Sequence, residues 1–199
     1  DWHNGAMYAG VMALTEISPS PRFREAMVKV GESQHWNLGP RVYHADDHTI
    51  GQMYAELALA DGDKAKVAPM RERFDTILAH RPTNDLDFDR SKNPRRQDRW
   101  SWCDALFMSP PAWLRLWKFT GDKRYLDFAV EEWWATSDSL SDREARLYVR
   151  HSSTFPKREA NGRKVFWSRG NGWVLAGLVR MLQYLPADHP ARPRFEQQF

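Results

Sequence analysis

Residues 48–80 read HTIGQMYAELALADGDKAKVAPMRERFDTILAH, and this stretch decides the fold. Apolar residues recur at helical spacing on both sides of Asp61-Gly62-Asp63, where turn residues interrupt the pattern. We therefore predict a helix over His48–Ala60, a tight turn, and a second helix over Lys64–His80. The predicted unit is a helical hairpin.

The rest of the chain repeats this unit. Gly121-Asp122-Lys123 has the same letters as Gly62-Asp63-Lys64, although three shared residues are weak evidence of a repeat. Alternating runs of β-branched residues, which would predict strands, are nearly absent, so the chain is predicted to be all-α. Further helices are expected over Gly5–Glu16, Arg22–Trp36, Trp102–Thr120, Lys123–Ser137 and Asn171–Leu185, with an eighth starting near Pro190.

Composition limits the classes of protein to consider. The 199 residues suffice for a sizeable core, and we treat 1–199 as a single domain. The net charge of +3 and a sequence pI near 9.1 favour an acidic ligand. The densest basic run, Asn93–Arg99, also contains an Asp and a Pro, and no extended basic stripe exists, so nucleic acid is excluded as a partner. No apolar run approaches the ~20 residues of a membrane span.

The single cysteine and the first residue bear on processing and location. Cys103 has no partner for a disulfide within the chain, and it lies far from any obvious base, so we interpret it as a small buried residue. The chain starts at Asp1, in what reads as the middle of a motif, and we expect an upstream segment to be missing. The sequence leaves periplasmic and cytoplasmic locations open, and it leaves the oligomeric state open.

Hairpin geometry predicts where polar groups meet. If the first helix of each hairpin runs one way and the second returns, all first helices start at the same end of the molecule. Helix N-termini at that end favour an anion. A helical solenoid and an α/α toroid both satisfy this geometry. The polar groups at the predicted starts are Asp1-Trp2, Asp46-Asp47, Asp104 and Arg169-Asn171.

The segment Trp167-Ser168-Arg169-Gly170-Asn171-Gly172-Trp173 sets an arginine between two tryptophans before an apolar helical run. A guanidinium can bind a carboxylate through two hydrogen bonds, and indole faces can cover the apolar face of a sugar ring. Gly170 and Gly172 are expected to provide a sharp turn near a ligand. This pattern predicts a site for an anionic sugar. The alternative is a simple helix entry in which Asn171 is the N-cap.

Asp104 lies between aromatic residues and directly before an apolar helix. A carboxyl group in such surroundings is desolvated, which raises its pKa and allows it to donate a proton near neutral pH. The alternative is a capping box, Ser101-x-x-Asp104, in which the carboxylate only caps the helix.

Two carboxylates and two histidines occur together in Tyr43–His48. A metal site would need ligands that converge from one short turn, whereas adjacent Asp46 and Asp47 point in different directions, so we predict no metal there. We prefer helix capping together with a second catalytic or positioning carboxylate. His44, His48 and His151 are candidate contacts to a proton or hydroxyl, although a lone histidine is more often structural.

Taken together, four motifs resemble glycoside hydrolase family 105, the unsaturated rhamnogalacturonyl hydrolases, which are related to the unsaturated glucuronyl hydrolases of family 88. The likeness spans nearly the whole chain in the family's order. The motifs are Asp1-Trp2-x-Asn4-Gly5, His44-Ala45-Asp46-Asp47-x-x-x-Gly51-Gln52, Trp102-x-Asp104-x-Leu106-x-Met108 and Trp167-x-Arg169-Gly170-Asn171-Gly172-Trp173.

The resemblance implies an (α/α)6 barrel, a toroid of six helical hairpins. The seven or eight helices predicted here correspond to roughly its N-terminal two thirds, so we expect the domain to be truncated at both ends. An open toroid would expose apolar faces of inner helices, and we expect this segment alone to be poorly stable or inactive.

The resemblance also implies a reaction. Such enzymes remove a 4,5-unsaturated uronic acid, galacturonyl or glucuronyl, from the nonreducing end of oligosaccharides that polysaccharide lyases leave, as in pectin degradation. A carboxylic acid protonates C4, water adds at C5, and the hemiketal opens to release the neighbouring sugar. No cofactor or metal is implied. Asp104 would be the general acid and base, with Asp46 or Asp47 as the second carboxylate.

The resemblance gives substrate-binding roles to further residues. Arg169 would bind the uronate carboxylate or ring hydroxyls, and Trp167, Trp173 and Trp102 would shape the pocket. His44, Asn171 and His151 complete the predicted contacts. Arg150 stands where several family members have a histidine, with His151 one place later, so a different leaving sugar is expected, such as rhamnose in pectin or ulvan fragments.

Two other interpretations remain open from the sequence. One is another (α/α)-barrel carbohydrate enzyme, a glycosidase or a lyase. The other is a non-catalytic helical-repeat module that binds protein or acidic glycan through the same rim.

Overall fold

A computed structural model describes residues 1–199 and consists mainly of helices. A two-stranded antiparallel sheet pairs β1 (Ser141–Asp142) with β2 (Leu147–Tyr148), and 3₁₀ turns cover Lys64–Val67 and Ser152–Thr154. The helices are α1 Trp2–Ile17, α2 Arg22–Ser33, α3 Ala45–His48, α4 Gly51–Asp61, α5 Ala68–Ala79, α6 Ala105–Met108, α7 Pro110–Thr120, α8 Lys123–Leu140, α9 Ser168–Leu182 and α10 Arg192–Gln198.

The helices form successive hairpins, α1 with α2, α4 with α5, α7 with α8, and α9 with α10. The first helices contact one another in the order α1, α4, α7, α9 and form an inner row, while the second helices lie outside it. Most of α4 and α7 is buried, which agrees with their central places in the row. The predicted hairpins and the all-α class are therefore confirmed, apart from the two-residue strands that the sequence analysis missed.

The two Gly-Asp-Lys turns have the same structure. Gly62 and Gly121 end their helices in the left-handed region, at φ 76° and 75°, which favours glycine. Asp63 and Asp122 then cap the next segment, because each side chain accepts a hydrogen bond from the backbone N–H two residues later, at 2.9 and 3.1 Å. The shared letters therefore encode one repeated helical connection.

One predicted helix is interrupted, and two start at a different residue. The helix predicted over His48–Ala60 corresponds to α4, which starts later, at Gly51, and follows the separate short helix α3. The helix predicted over Trp102–Thr120 starts only at Ala105 and breaks at Ser109 before Pro110-Pro111, because proline lacks an N–H and restricts the residue before it. The predicted start at Asn171 is wrong, since α9 already begins at Ser168.

Trp113 lies at the centre of the core. Its ring stacks on Phe74 at 3.9 Å and contacts Phe128 at 4.2 Å. Its indole N–H donates to Ser109 Oγ at 3.2 Å, and that hydroxyl also bonds His48 Nδ1 at 2.7 Å. His48 Nε2 lies 2.9 Å from the carbonyl oxygen of Val42, and burial lowers the pKa of His48 to about 4. His48 is therefore a neutral core residue, and its candidacy as a substrate contact is wrong.

A buried charge cluster connects three inner helices. Glu56 on α4 accepts hydrogen bonds of 2.6 Å from Arg115 on α7 and from Arg180 on α9. Arg115 is almost completely buried, and Gln183 accepts a further bond from it at 3.2 Å. Burial lowers the pKa of Arg180 to about 10, opposed by Glu56. One carboxylate therefore compensates two buried cations.

The two ends of the inner row expose apolar side chains. Met7, Leu14 and Ile17 are exposed on α1, and Leu175 and Val179 are exposed on α9. In the inner row α1 packs mainly against α4 and α9 mainly against α7, and α1 and α9 meet each other through Trp2 and Trp173, whose ring centres lie 6.0 Å apart. No helix is long and apolar enough to cross a membrane.

Removing the Glu56 charge should destabilise the fold strongly. The Glu56→Gln variant leaves two buried guanidinium groups without a carboxylate, and we expect a loss of about 3 kcal/mol or more in the free energy of unfolding, measured by urea denaturation. Glu131→Gln is the matched control, since Glu131 is exposed and pairs with Arg81 at 2.9 Å, and it should cost under about 1 kcal/mol. Equal losses in the two variants would contradict the central role of the cluster.

Candidate active site

A cleft of about 260 Å³ opens at the end of the molecule where the inner helices start. Trp2 comes from α1, Asp46 from the turn before α4, Asp104 from the turn before α7, and Arg169 from α9. The predicted convergence of helix starts is therefore confirmed. The complete lining is Trp2, Arg41, His44, Asp46, Phe88, Gln97, Trp102, Asp104, Arg150, Trp167 and Arg169.

Asp46 is held in the first turn of α3. His44 is the N-cap, and its Nδ1 accepts from the Asp46 backbone N–H at 3.3 Å. Asp46 Oδ1 is buried without a hydrogen-bond partner in the protein. Burial raises the pKa of Asp46 to about 6, and the negative charge of Asp104 adds to the rise. Asp46 is therefore a desolvated carboxyl group that lines the same cleft as a second one.

Asp104 is placed by a short β-like pairing. Trp102 forms an antiparallel bridge with His151, and the Cys103 N–H donates to the Arg150 carbonyl at 2.9 Å. Asp104 Oδ1 is also buried without a partner. Burial raises the pKa of Asp104, opposed by the positive charges of Arg150 and Arg169.

The capping-box alternative for Asp104 is wrong. The side chain makes no cap hydrogen bond at the start of α6, and Ser101 Oγ instead donates to the Arg96 carbonyl. Likewise, the N-cap of α3 is His44, so neither Asp46 nor Asp47 caps it.

Asp47 has different surroundings from Asp46. Its Oδ2 accepts from the Arg41 backbone N–H at 2.7 Å, and its Oδ1 lies 2.6 Å from the Arg41 guanidinium. Burial alone would raise the pKa of Asp47, but the hydrogen bonds from Arg41 outweigh it and lower the pKa. A side chain at Gly39 would reach within 2.5 Å of the carboxyl carbon of Asp47, so this approach requires glycine. Asp47 is not among the residues that line the cleft.

Two arginines share one tryptophan at the edge of the cleft. The guanidinium of Arg169 lies 4.7 Å from the ring centre of Trp167, and that of Arg150 lies 5.1 Å from it. Both arginines are exposed, and their contacts with Trp167 are accompanied by no ion pair with a carboxylate of this chain. These cations are therefore free to bind an anion close to Asp104.

The Asn171 side chain hydrogen-bonds to the backbone and does not line the cleft. Its Oδ1 accepts from the Tyr148 N–H at 2.7 Å, and its Nδ2 donates to the carbonyls of Tyr148 and Trp167 at 3.0 and 3.1 Å. The side chain thus fixes the segment that leads to Arg150. The N-cap alternative for Asn171 is wrong, because the residue lies within α9.

The glycines of the same motif do not make a sharp turn, since neither has a positive φ. Gly170 is required for packing, because a Cβ there would lie 2.5 Å from the Trp167 ring and 2.8 Å from Cys103 Sγ. Gly172 faces open space. The turn expected from these glycines is therefore wrong.

The remaining aromatic and histidine predictions divide into two groups. Trp102, Trp167 and His44 line the cleft. Trp173 is not part of the lining and packs against Phe107 at 4.8 Å. Burial and the charge of Arg41 lower the pKa of His44 to about 4, so His44 is neutral, and its 3.9 Å approach to Asp46 is not an ion pair.

The family model described as Glycosyl Hydrolase Family 88 matches residues 1–199 of this chain. The chain belongs to glycosyl hydrolase family 88. The resemblance stated for families 105 and 88 is thereby confirmed, and the chain is a glycoside hydrolase by sequence.

Two curated relatives are named unsaturated 3S-rhamnoglycuronyl hydrolase. The protein from Alteromonas sp. is 36% identical over 98% of this chain and 49% of its own length. The protein from Formosa agariphila is 32% identical over 100% of this chain and 55% of its own length. The chain therefore spans about half the length of the curated relatives it matches.

Solved structures share the fold. A family 88 glycosyl hydrolase from Bacteroides vulgatus matches 100% of this chain and 57% of its own, with a TM-score of 0.80 and 24% identity. A protein described as a polysaccharide lyase matches the same shares with a TM-score of 0.82 and 27% identity. The hairpin arrangement is thus that of the family 88 fold.

Sequence reasoning missed three residues of the cleft, namely Arg41, Phe88 and Gln97. The signal for Phe88 was the long connection Arg81–Ser101. Ser152 Oγ holds that loop, since it accepts from the Phe88 N–H at 2.8 Å and donates to Asp87 at 2.9 Å. Phe88 then stacks on His151 at 4.1 Å, with an angle of 12° between the rings. No residue type alone indicated this tertiary contact.

Changing Asn171 should loosen the site without touching substrate. In Asn171→Asp the amide donor to two carbonyls becomes a carboxylate oxygen, and we expect a loss of about 1–3 kcal/mol in the free energy of unfolding, with faster hydrogen exchange over 148–151. Asn161→Asp is the control, because Asn161 is exposed and its Oδ1 only accepts from the Arg163 N–H at 3.0 Å. If exchange over 148–151 were unchanged in Asn171→Asp, the positioning role would be wrong.

Proposed function

We propose that this chain carries the active site of a hydrolase that removes a 4,5-unsaturated uronic acid from the nonreducing end of lyase-generated oligosaccharides. One observation carries the proposal. Asp46 and Asp104 both line a cleft that also contains two unpaired arginines, and each has one buried carboxyl oxygen without a hydrogen-bond partner. The cleft thus combines a proton donor with a site for an anionic sugar.

Binding of the uronic acid depends on Arg169. Its guanidinium can take the uronate carboxylate through two hydrogen bonds, and Trp2, Trp102 and Trp167 offer apolar faces to the ring. The carboxylate is attached to C5, so its capture next to Asp104 places the C4–C5 double bond beside the two carboxyl groups. Positioning of this kind supplies a large part of enzymatic rate enhancement.

The reaction is a hydration followed by ring opening. Protonated Asp104 gives its proton to C4, and the positive charge that forms at C5 is shared with the ring oxygen. Water adds at C5 and returns a proton to the carboxylate pair. The resulting hemiketal opens, the bond from C1 to the neighbouring sugar is released, and one water molecule has been consumed.

Asp46 is the second carboxylate in this proposal, and Asp47 is a structural partner of Arg41. Asp46 and Asp104 line one desolvated cleft in which two negative charges together are unfavourable, so the pair retains one proton up to about pH 6. Ionised Asp46 therefore favours the protonated form of Asp104 and is placed to orient the water. Asp47 is clamped by Arg41 and is not part of the lining.

Substrate binding itself prepares the acid. The positive charges of Arg150 and Arg169 oppose the rise in the pKa of Asp104 in the free protein. A uronate bound to Arg169 cancels part of that positive charge, so the pKa of Asp104 rises in the complex. The proton then stays on Asp104, which donates it to C4.

The substrate class is supported by the relatives and by Arg150. Two proteins at 36% and 32% identity are named unsaturated 3S-rhamnoglycuronyl hydrolase, and we propose a uronyl–rhamnose linkage for this protein as well. Such linkages occur in pectin and ulvan fragments. His151 does not line the cleft, whereas Arg150 does.

The ultraviolet absorbance of the double bond tests the reaction. With the full-length protein and an unsaturated uronyl–rhamnose disaccharide, absorbance should fall, and Asp104→Asn should slow the fall by about 10²–10⁴-fold with substrate still bound. Asp46→Asn should also lose most turnover. Asp47→Asn is the matched control and should lose stability more than turnover.

Other outcomes of this assay decide between reaction classes. A lyase on the same scaffold would raise the absorbance on a saturated polysaccharide, since it creates the double bond. A binding module would leave both substrates unchanged. Either result would replace the hydrolase proposal.

The pH profile tests the carboxyl pair. The free protein needs one proton on the pair, so kcat/KM should decline as pH rises beyond about 6, the value to which burial and Asp104 raise the pKa of Asp46. Asp46→Asn removes the negative charge that favours protonated Asp104, so the basic limb of the residual activity should move to lower pH. A limb that stays in place would show that the two groups do not share the proton.

A further inference from the structure

Gln97 lines the cleft from the long connection Arg81–Ser101. Its side chain is half-buried, and the hydrogen bonds of this segment leave its amide without a partner in the chain. The side chains around it hold the segment in place instead. These contacts are Arg95 with Asp98 at 2.6 Å, Arg99 with Glu132 at 2.9 and 3.0 Å, and Arg96 over the ring of Phe88 at 5.1 Å. The Gln97 amide is therefore positioned by its neighbours and free to bind a ligand.

The other polar groups on the lining are already engaged or can only donate. The Arg41 guanidinium binds the Asp47 carboxylate through Nε and Nη2, at 3.1 and 2.6 Å. His44 is neutral and its Nδ1 accepts from the Asp46 backbone N–H, so its hydrogen lies on Nε2 and the ring can only donate. Outside the carboxyl pair, Gln97 is thus the one uncharged side chain of the lining that offers a free donor together with a free acceptor.

An unsaturated uronic acid retains few groups by which a protein can recognise its ring. The elimination that creates the double bond makes C4 and C5 planar, so the configuration at both atoms is lost. Galacturonyl and glucuronyl residues differ at C4 alone and therefore give the same ring. C5 carries the carboxylate, and C1 carries the leaving sugar. The hydroxyls at C2 and C3 are the polar groups that remain for recognition.

We propose that the Gln97 amide binds the C2 and C3 hydroxyls of the unsaturated ring, accepting from one and donating to the other. The inference rests on the proposed function and adds a specificity determinant to it. Adjacent hydroxyls can use the oxygen and the nitrogen of one amide at the same time, because each hydroxyl both donates and accepts. A ring held by Arg169 at its carboxylate and by Gln97 at C2 and C3 is fixed at two edges, which restricts how C4 is presented to Asp104.

The test is a double-mutant cycle between protein and substrate. Two unsaturated disaccharides share the same leaving sugar, and one of them lacks the hydroxyls at C2 and C3 of the unsaturated ring. In the full-length protein, Gln97→Met should lower kcat/KM about tenfold or more on the complete disaccharide and within about twofold on the dideoxy compound. Any change in the intrinsic reactivity of the dideoxy compound is common to both proteins, so the two ratios isolate the contact.

The matched control is Gln34→Met, because Gln34 is exposed and its amide lies only within 3.5 Å of Ser33 Oγ. It should leave kcat/KM unchanged on both disaccharides. The midpoint of urea unfolding should be the same in Gln97→Met as in the wild type, since the amide has no hydrogen bond to lose within the chain. An equal loss of kcat/KM on both disaccharides in Gln97→Met would overturn the proposal, because Gln97 would then act by holding the connection.

Calorimetry with the Asp104→Asn variant separates this inference from the reaction itself. That variant should bind the complete disaccharide about tenfold or more tightly than the dideoxy compound, and adding Gln97→Met should reduce the difference to within about twofold. Equal affinities in Asp104→Asn would overturn the Gln97 contact even if the wild-type protein hydrolyses both compounds. Preferential binding with no turnover in the wild type would overturn the proposed function and keep the contact.

Discussion

The burial of two carboxyl oxygens without hydrogen-bond partners is the constraint on which the site depends. A buried polar atom left unpaired costs about 1–3 kcal/mol, so Asp46 and Asp104 would turn toward other partners unless their backbones were fixed. The chain fixes them through hydrogen bonds to the backbone of their segments. His44 caps the turn of Asp46, and the pairing of Cys103 with Arg150 holds the segment of Asp104. Both carboxyl groups line the cleft, where a substrate oxygen or a water can supply the missing hydrogen bond.

This constraint also explains why the adjacent carboxylates of Asp46 and Asp47 have different surroundings. Asp47 follows Asp46 directly, yet its carboxylate is satisfied by the backbone and the side chain of Arg41. Because successive side chains on a helix point about 100° apart, one carboxylate can serve the fold while its neighbour faces the cleft. The clamp on Asp47 anchors the short α3 turn, and the position of Asp46 follows from that anchor.

The sequence predicted the helices well because apolar spacing and Gly-Asp turns are local signals. It also predicted that Trp2, Asp46, Asp104 and Arg169 meet, since hairpins of alternating direction bring their starts together. It failed where the outcome depends on tertiary contacts. Nothing local showed that Asn171 would bind the backbone of Tyr148, that Arg41 would claim Asp47, or that Phe88 would stack on His151. Pro110-Pro111 indicates the helix break at Ser109, but the helix predicted over Trp102–Thr120 did not include that break.

Two arginines connect substrate binding with the acid. The charges of Arg150 and Arg169 both oppose the protonation of Asp104. A uronate that neutralises Arg169 removes part of this opposition and raises the pKa of Asp104. Specificity for an anionic sugar would then appear in the rate of proton transfer as well as in affinity, since the uronate would help to hold the proton on the group that must donate it.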